Sequence, residues 1–456
     1  LKVNTMAIKN KKELLSHGNK KGRKIVLDIL EHALKTLDTY KIVKKLVYVD
    51  DGNLIVGNLN YNLSKIGDIY VVGAGKATLP IAKALKDVLR GRIKKGVIIE
   101  KRRKKEKKCK LEGIKVIEAS HPIPDKAGLK GAKEIMNIVK STKKGDLVFV
   151  CITGGCSALM PLPVEGISLE DKKKTTDLLL KSGATIQEIN AVRKHISSIK
   201  GGRLALHAHP AELIDLIIVD EVAGLPWGPT VPDTTTFKDA ISVLRKYELW
   251  EKIPDPVRNY LKNADPSLET PKAKDFKNIK VHYFLLAENK TACEAAKKRA
   301  EELGFNSAIL STMMEGESRE VGFALASIAK EIEKNGRPLK PPSVLISGGE
   351  TTVTIEGESG EGGRNQELVL GFSTKIVGSK KIVIAAIDTD GIDGQTDMAG
   401  GVADGYTLKR AKEEGVDVFE NIKKHNTSYV LKKLKDAIFT GPTGTNVMDL
   451  AVIVII

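Results

Sequence analysis

Asp146-Leu-Val-Phe-Val-Cys-Ile152, running straight into Thr153-Gly-Gly-Cys-Ser157, is the stretch on which the fold turns. Its apolar residues are continuous, without the polar alternation of a strand exposed on one face. That pattern reads as a strand buried on both sides. A glycine stop and a helical segment follow it. The same phrase recurs along the chain. Asp68-Ile-Tyr-Val-Val72 ends in Gly73-Ala-Gly75 and leads into helical spacing over 77–90, and Leu345-Ile-Ser-Gly-Gly-Glu-Thr351 echoes it. Further strand-like runs are Gly96–Ile99, Gly113–Glu118, Ile214–Asp220, Val281–Leu286, Ser307–Leu310, Lys381–Ile387 and Leu450–Ile456. Apolar strands alternating with helices predict an α/β protein whose sheets are mainly parallel, doubly wound and covered on both faces. Open sheets of this kind bind ligands beyond the carboxyl ends of their strands. Nearly every glycine cluster here falls at such an end.

The 456 residues suggest two or three domains. Pro254, Pro256, Pro266 and Pro271 stand among charges and mark the expected boundary. The final strand is too short to stand alone and is expected to join the first sheet. The predicted division is therefore 20–255 plus 430–456 for an N-terminal Rossmann-like domain, and 256–429 for a second α/β domain. No apolar run reaches the ~18 residues of a spanning helix, and Leu1–Lys24 is polar and lysine-rich, without the apolar core of a signal peptide. Cys109, Cys151, Cys156 and Cys293 are scattered, so neither a zinc site nor a disulfide framework is expected. These features favour a cytoplasmic location, and three glutamines among abundant Lys and Glu lean towards a thermophilic source.

Lys and Arg number 74 against 57 Asp and Glu, a net charge of +17. The excess is dispersed except for the run 101–110, which lacks aromatics for base stacking. It reads as a solvated loop, with an anionic partner as the alternative.

Gly73-Ala-Gly-Lys-Ala-Thr78 resembles a phosphate loop but is not one. Tyr70 stands where a P-loop needs Gly, and Ala77 follows Lys76 where Ser or Thr is required. Thr78 likewise spoils a dinucleotide fingerprint, although Glu100 ends the next strand where a ribose-binding acid belongs. A lysine beside a helix N-terminus suits an oxyanion. Anion site, dinucleotide site and plain tight turn all remain open. At the second junction Gly154, Gly155 and Ser157 form either a ligand loop or an N-cap. Arg193, Lys200 and Arg203 steer anions, or simply end a helix at Gly201-Gly202. His195 alone reads as structural.

The densest chemistry is in Ser347-Gly-Gly-Glu-Thr-Thr352, Gly362-Gly-Arg-Asn-Gln-Glu367 and Asp388-Thr-Asp-Gly-Ile-Asp-Gly-Gln-Thr-Asp397. Carboxylates at a strand end are typical ligands of hard cations. An EF-hand is excluded by Ile392 and Asp393. Gly441-Pro-Thr-Gly-Thr-Asn446 precedes the last strand at the same edge. Lysine, arginine, acids and glycine loops together are what phosphoryl transfer requires.

These motifs, with Ser120-His-Pro-Ile-Pro-Asp125, Ile189-Asn-Ala-Val-Arg-Lys-His195 and Ile199-Lys-Gly-Gly-Arg203, resemble glycerate 2-kinases that carry a MOFRL domain. Some members of that family bear the name hydroxypyruvate reductase. The similarity runs from about Leu27 to the C-terminus. It implies two α/β domains with the active site in the cleft between them, and ATP-dependent phosphorylation of D-glycerate at its 2-hydroxyl. Lys76, Arg364 and Asp220 match catalytic positions. Gly73, Gly75, Gly154, Gly155, Ser157, Arg193, Lys200, Glu350 and Asn446 are expected to bind substrate or phosphate, and Asp388, Asp390 and Asp397 to hold Mg²⁺. The partners implied are D-glycerate and ATP, with a possible homodimer and neither nucleic acid nor membrane. Residues 221–230 form a shorter loop than the family's, and Cys156 and Ser120 replace its usual small residues. The rival readings are an NAD(P)H-dependent hydroxypyruvate reductase and a non-enzymatic nucleotide or nucleic-acid binder.

Overall fold

A computed structural model describes residues 7–102, 110–219 and 228–456. Asp220, most of the 221–230 loop, Cys109 and the centre of the basic run lie outside them. The described residues form two compact units: 40–102, 110–217 and 228–286 in one, and 7–39, 218–219 and 287–456 in the other.

The first unit opens with a three-stranded antiparallel sheet: β1 (Val47–Asp50), β2 (Asn53–Val56) and β3 (Leu59–Asn62). Asp51 and Gly52 both have positive φ, 41° and 73°, the backbone that a two-residue hairpin favours. The main sheet uses β4 (Ile69–Ala74), β5 (Ile93–Lys101), β6 (Ile114–Ala119), β7 (Leu147–Ile152), β8 (Glu212–Ile218) and β9 (Val281–Ala287). Its order is β6-β5-β4-β7-β8-β9. β4 to β8 pair in parallel, and β4 and β7 are buried along their whole length. This is the sheet the apolar runs predict.

The expected boundary near residue 255 is corrected to Leu286/Ala287. The proline-rich stretch is not a linker. Pro254 caps the helix Asp255–Asn263, Pro256 occupies its first turn, where a missing N–H is harmless, and Val257 and Leu261 pack against Phe237, Leu244 and Leu249.

The second unit contains β10 (Asn306–Met314), β11 (Ser343–Gly349), β12 (Ile382–Asp388), β13 (Gly400–Asp404), β14 (Ala437–Ile438) and β15 (Asp449–Ile455). Their order is β10-β11-β15-β12-β13-β14. Only β10 and β11 pair in parallel; the other four pairings are antiparallel. This corrects the expectation of a mainly parallel second sheet, and it moves the last strand out of the first sheet. β15 fills the centre, with Ala451 opposite both Ser347 and Ala386. A central slot needs a strand apolar on both faces, and β15 is buried throughout.

Residues 20–39 were also expected in the first unit, and they fold with the second. The helix Lys20–Thr36 buries Val26, Leu27, Ile29, Leu30 and Ala33. From the same face the fully buried Arg23 donates to Asp404 at 2.6 Å and to Asp436 at 2.7 Å. His17 and Arg410 also reach Asp436. Burial pushes the Asp436 carboxyl up, but the charges of Arg23 and Arg410 and the hydrogen bond to His17 outweigh it and hold the group at about 2.

Candidate functional site

At the end of β4, Gly73 and Gly75 are placed by close approach. A Cβ on Gly73 would lie 2.0 Å from the carbonyl oxygen of Cys151, and one on Gly75 equally close to Thr153 Oγ1. Lys76 N–H donates to Gly154 C=O at 2.8 Å, and Ala77 N–H to Thr153 Oγ1 at 3.0 Å. The two glycine loops are thus stitched together, beside the start of the helix Thr78–Leu89. A Cβ on Gly155 would meet His121 at 2.9 Å and the Lys76 stem at 3.4 Å. Lys76, Gly154, Gly155 and His121 therefore share one strand-end locus. His121 was quoted in a motif but assigned no role; only the fold brings it here.

Glu100 is buried and accepts the N–H of Leu79. It satisfies the helix start and does not stand open to a ribose. The one residue that favoured a dinucleotide is thereby accounted for.

Beyond β7, Lys200 Nζ donates to Ser157 Oγ at 2.8 Å, so these two predicted residues do meet. Arg203 serves the backbone, donating to the carbonyls of Lys194, Ser197 and Leu268. His195 is fully buried between Ala191 C=O and Glu269 Oε1, the structural role expected of it.

In the second unit Arg364 is the hub. It is the first residue of the helix Arg364–Lys375. Nε donates to Asp449 at 2.8 Å, one Nη to Glu350 at 2.6 Å and the other to Asp388 at 2.9 Å. Glu350 follows β11, Asp388 ends β12 and Asp449 begins β15, so all three acids come from one sheet edge. The antiparallel insertion of β15 causes this, placing Asp449 opposite both Gly349 and Asp388. The motif around Arg364 is its scaffold. Gly363 has no room for a side chain, since a Cβ would lie 2.3 Å from Asp393. Asp393 accepts the N–H groups of Asn365 and Gln366 at 3.2 and 3.0 Å, capping the helix. Asn365 Nδ2 holds Asp449 at 2.7 Å.

Burial works against the Arg364 charge, but the surrounding acids hold its pKa above the ordinary value. A guanidinium has five N–H donors. Three face these carboxylates, and among the described residues the other two meet no acceptor. Burial pushes the Asp449 carboxyl up, to about 7, against the pull of Arg364 and Asn365. Asp449 and Asp393 were not singled out from sequence. Asp449 sits in no motif, and its only signal was its place three residues after Asn446, at the start of the last strand.

That loop is tied to the same edge. Thr389 N–H and Oγ1 both donate to Met448 C=O, and Thr443 N–H donates to Asp390 C=O. Asn446 is buried beside them in sequence. Asp390 N–H donates to Asp388 Oδ1 at 3.0 Å. Asp397 does not join this group: it is exposed and pairs with Lys432 at 3.3 Å. Among the described residues no group of three or more His, Cys, Asp or Glu side chains is arranged to hold a metal ion. Of the expected trio, Asp388 and Asp390 are joined by a hydrogen bond while Asp397 faces Lys432. Magnesium that arrives with a nucleotide needs only one or two protein carboxylates, and Asp388 and Asp390 fit that smaller demand. Among the described residues, no helix is long and apolar enough to cross a membrane.

Residues 25–262 match a domain of unknown function (DUF4147), and residues 343–449 match the MOFRL family. A protein from Pyrococcus horikoshii named glycerate 2-kinase is 44% identical over 437 residues, 95% of this chain and 97% of its own length. A Thermotoga maritima protein named D-glycerate 2-kinase is 40% identical, covering 84% of this chain and 90% of its own. The solved structure of a glycerate kinase from Thermotoga maritima superposes with a TM-score of 0.81 at 36% identity, covering 95% of this chain and 99% of that one. With both domain matches in order and relatives similar along nearly their whole length, the chain belongs to the glycerate 2-kinase family that joins a DUF4147 domain to a MOFRL domain.

Proposed function

We propose that this protein transfers the γ-phosphoryl group of MgATP to the 2-hydroxyl of D-glycerate, giving 2-phosphoglycerate. The observation that carries this reading most is the Arg364 hub, in a chain so similar to glycerate 2-kinases from end to end. Phosphoryl transfer relies on positioning and charge stabilisation. Arg364 offers N–H donors for the transferring group, and Lys76 remains assigned to catalysis from its motif. Three carboxylates around one guanidinium repel a bare phosphate. The cluster favours a ligand that brings a proton or a divalent cation, and this is the chemical argument for MgATP. Asp388 and Asp390 would hold the cation, and its charge would offset that of the phosphate oxygens. Asp220 remains assigned to catalysis from its motif.

The test is a coupled assay with D-glycerate, ATP and Mg²⁺, read through enolase so that only 2-phosphoglycerate gives signal. A parallel assay supplies hydroxypyruvate and NADH. Turnover is expected in the first and not in the second. Chelation by EDTA should abolish it and excess Mg²⁺ restore it; full activity in EDTA would remove the metal from the proposal.

Lys76→Ala is expected to lower kcat by about 10²–10³, the usual effect of deleting one donor from a preorganised site. KM for D-glycerate should change less, and thermal stability little. A rise in KM alone would reduce Lys76 to a binding residue.

A further inference from the structure

Three carboxylates meet Arg364, and one of them is held in place by the fold far more firmly than Glu350 is. Asp449 is the first residue of β15, whose pairing sets it opposite Gly349 on one side and Asp388 on the other. Its backbone has a further anchor. The buried Asn289 donates through Nδ2 to the carbonyls of Val447 and Asp449, both at 2.8 Å. Its side chain is anchored by Asn365, which is 1% exposed. Asn365 Nδ2 donates to Asp449 Oδ1 at 2.7 Å and to Asp393 Oδ1 at 3.2 Å, so one amide bridges two buried acids.

Against this anchored carboxylate lies Arg364 Nε, 3.1 Å from Oδ1 and 2.8 Å from Oδ2. The Nε–H bond lies in the guanidinium plane and turns with it about the Cδ–Nε bond. A fixed acceptor at Nε therefore fixes the plane, and with it the directions of the Nη–H bonds. An acceptor at an Nη can leave without the plane turning. Glu350 is such an acceptor. Its side chain is 43% exposed, and among the described residues its carboxylate has no second hydrogen-bond partner. Asp388, at the other Nη, is the residue assigned to the cation.

We infer that Asp449 is a positioning residue for phosphoryl transfer: anchored by Asn289 and Asn365, it fixes the plane of the Arg364 guanidinium through Nε, so that an incoming phosphoryl oxygen can replace Glu350 at Nη while the arginine keeps its aim. Asp449 touches no reacting atom and acts through Arg364. The inference rests on the proposed function for the identity of the ligand; the anchoring itself does not.

The experiment has two readouts on the full chain, and the first needs no turnover. In proton–nitrogen correlation spectra of deuterated protein, the Arg364 Nε–H signal is the one lost in Arg364→Lys, and its exchange with water is followed. Asp449→Asn should exchange about ten times faster than wild type, as a locally freed group does, and Glu350→Gln should keep the wild-type rate. Asparagine cannot replace the carboxylate. Whichever way its amide is turned, its NH₂ faces Asn365 Nδ2 or Arg364 Nε, donor against donor. The second readout is a kinetic cycle with D-glycerate and MgATP. Asp449→Asn should lower kcat by about 10², the scale on which a misplaced group costs rate, with KM changing less. Arg364→Ala/Asp449→Asn should be no slower than Arg364→Ala, because nothing remains to be positioned. Asn365→Ala leaves every charge in place; it should move both readouts the same way, and it carries the test if Asp449→Asn does not fold. Unchanged exchange in Asp449→Asn, faster exchange in Glu350→Gln, or losses that multiply in the double variant would overturn the inference. A guanidinium freed in Asp449→Asn but not in Glu350→Gln, in a protein that turns over no D-glycerate, would uphold the anchoring and overturn the proposed function instead.

Discussion

Arg364→Ala is expected to lower kcat by a factor of about 10³ or more, the scale on which an arginine contributes to phosphoryl transfer. The variant loses the two N–H donors assigned to the transferring group. It also leaves Glu350, Asp388 and Asp449 converging on empty space. Arg364→Lys should not rescue it, because a single ammonium cannot reproduce a planar fork shared among three carboxylates. The loss should carry a pH signature in stability. Asp449 has a folded pKa raised by burial to about 7, above the unfolded value of about 3.9. Its contribution to stability is present below the unfolded value and lost as pH rises through the folded one. Without Arg364 that loss steepens, so the variant should be closest to wild type in mild acid and furthest from it above neutrality. Urea denaturation at several pH values, paired with kcat, checks both halves. A variant with near-normal kcat would dismiss Arg364 from the mechanism.

Arg23→Met should destabilise the second unit by about 3–5 kcal/mol, the cost of stranding a buried partner charge. Two partners are stranded here, Asp404 and Asp436, both fully buried. Asp436, whose folded pKa is depressed to about 2, gives the opposite pH dependence to Asp449. Its stabilisation is present above the unfolded value of about 3.9 and lost as pH falls through about 2. The difference between Arg23→Met and wild type should therefore be large at neutral pH and shrink in acid. The urea midpoint of the unit's transition measures it. An unchanged midpoint would mean that His17 and Arg410 suffice for Asp436, and that the N-terminal helix is held by its apolar face alone.

The strand–glycine–helix junctions were legible because their chemistry is local. A strand buried on both faces must be apolar along its length, and glycines must stand where two strand ends pass within about 2 Å of a would-be side chain. Strand direction was not legible. An apolar strand centred in a sheet has the same composition whether its neighbours run with it or against it, so β15 carried no mark of its antiparallel setting. The prolines misled for a related reason, since they start a helix as readily as they interrupt a linker. Glu100 showed its place at a strand end but not that a helix N–H had claimed it.

By itself the sequence determined the α/β class, the glycine-marked strand ends as the place for chemistry, and Lys76, Glu350, Arg364 and Asp388 as residues of interest. The class and the strand ends follow from side-chain type and short spacing; the choice of individual residues also leans on the family resemblance. Only the tertiary structure decided that residues 20–39 and the last strand belong to the second unit. It also decided that Asp449 completes the Arg364 hub and that Asp397 stands apart from it. Those outcomes depend on register and burial between segments distant in the chain. A hydrogen-bonded partner hundreds of residues away leaves no periodicity to read.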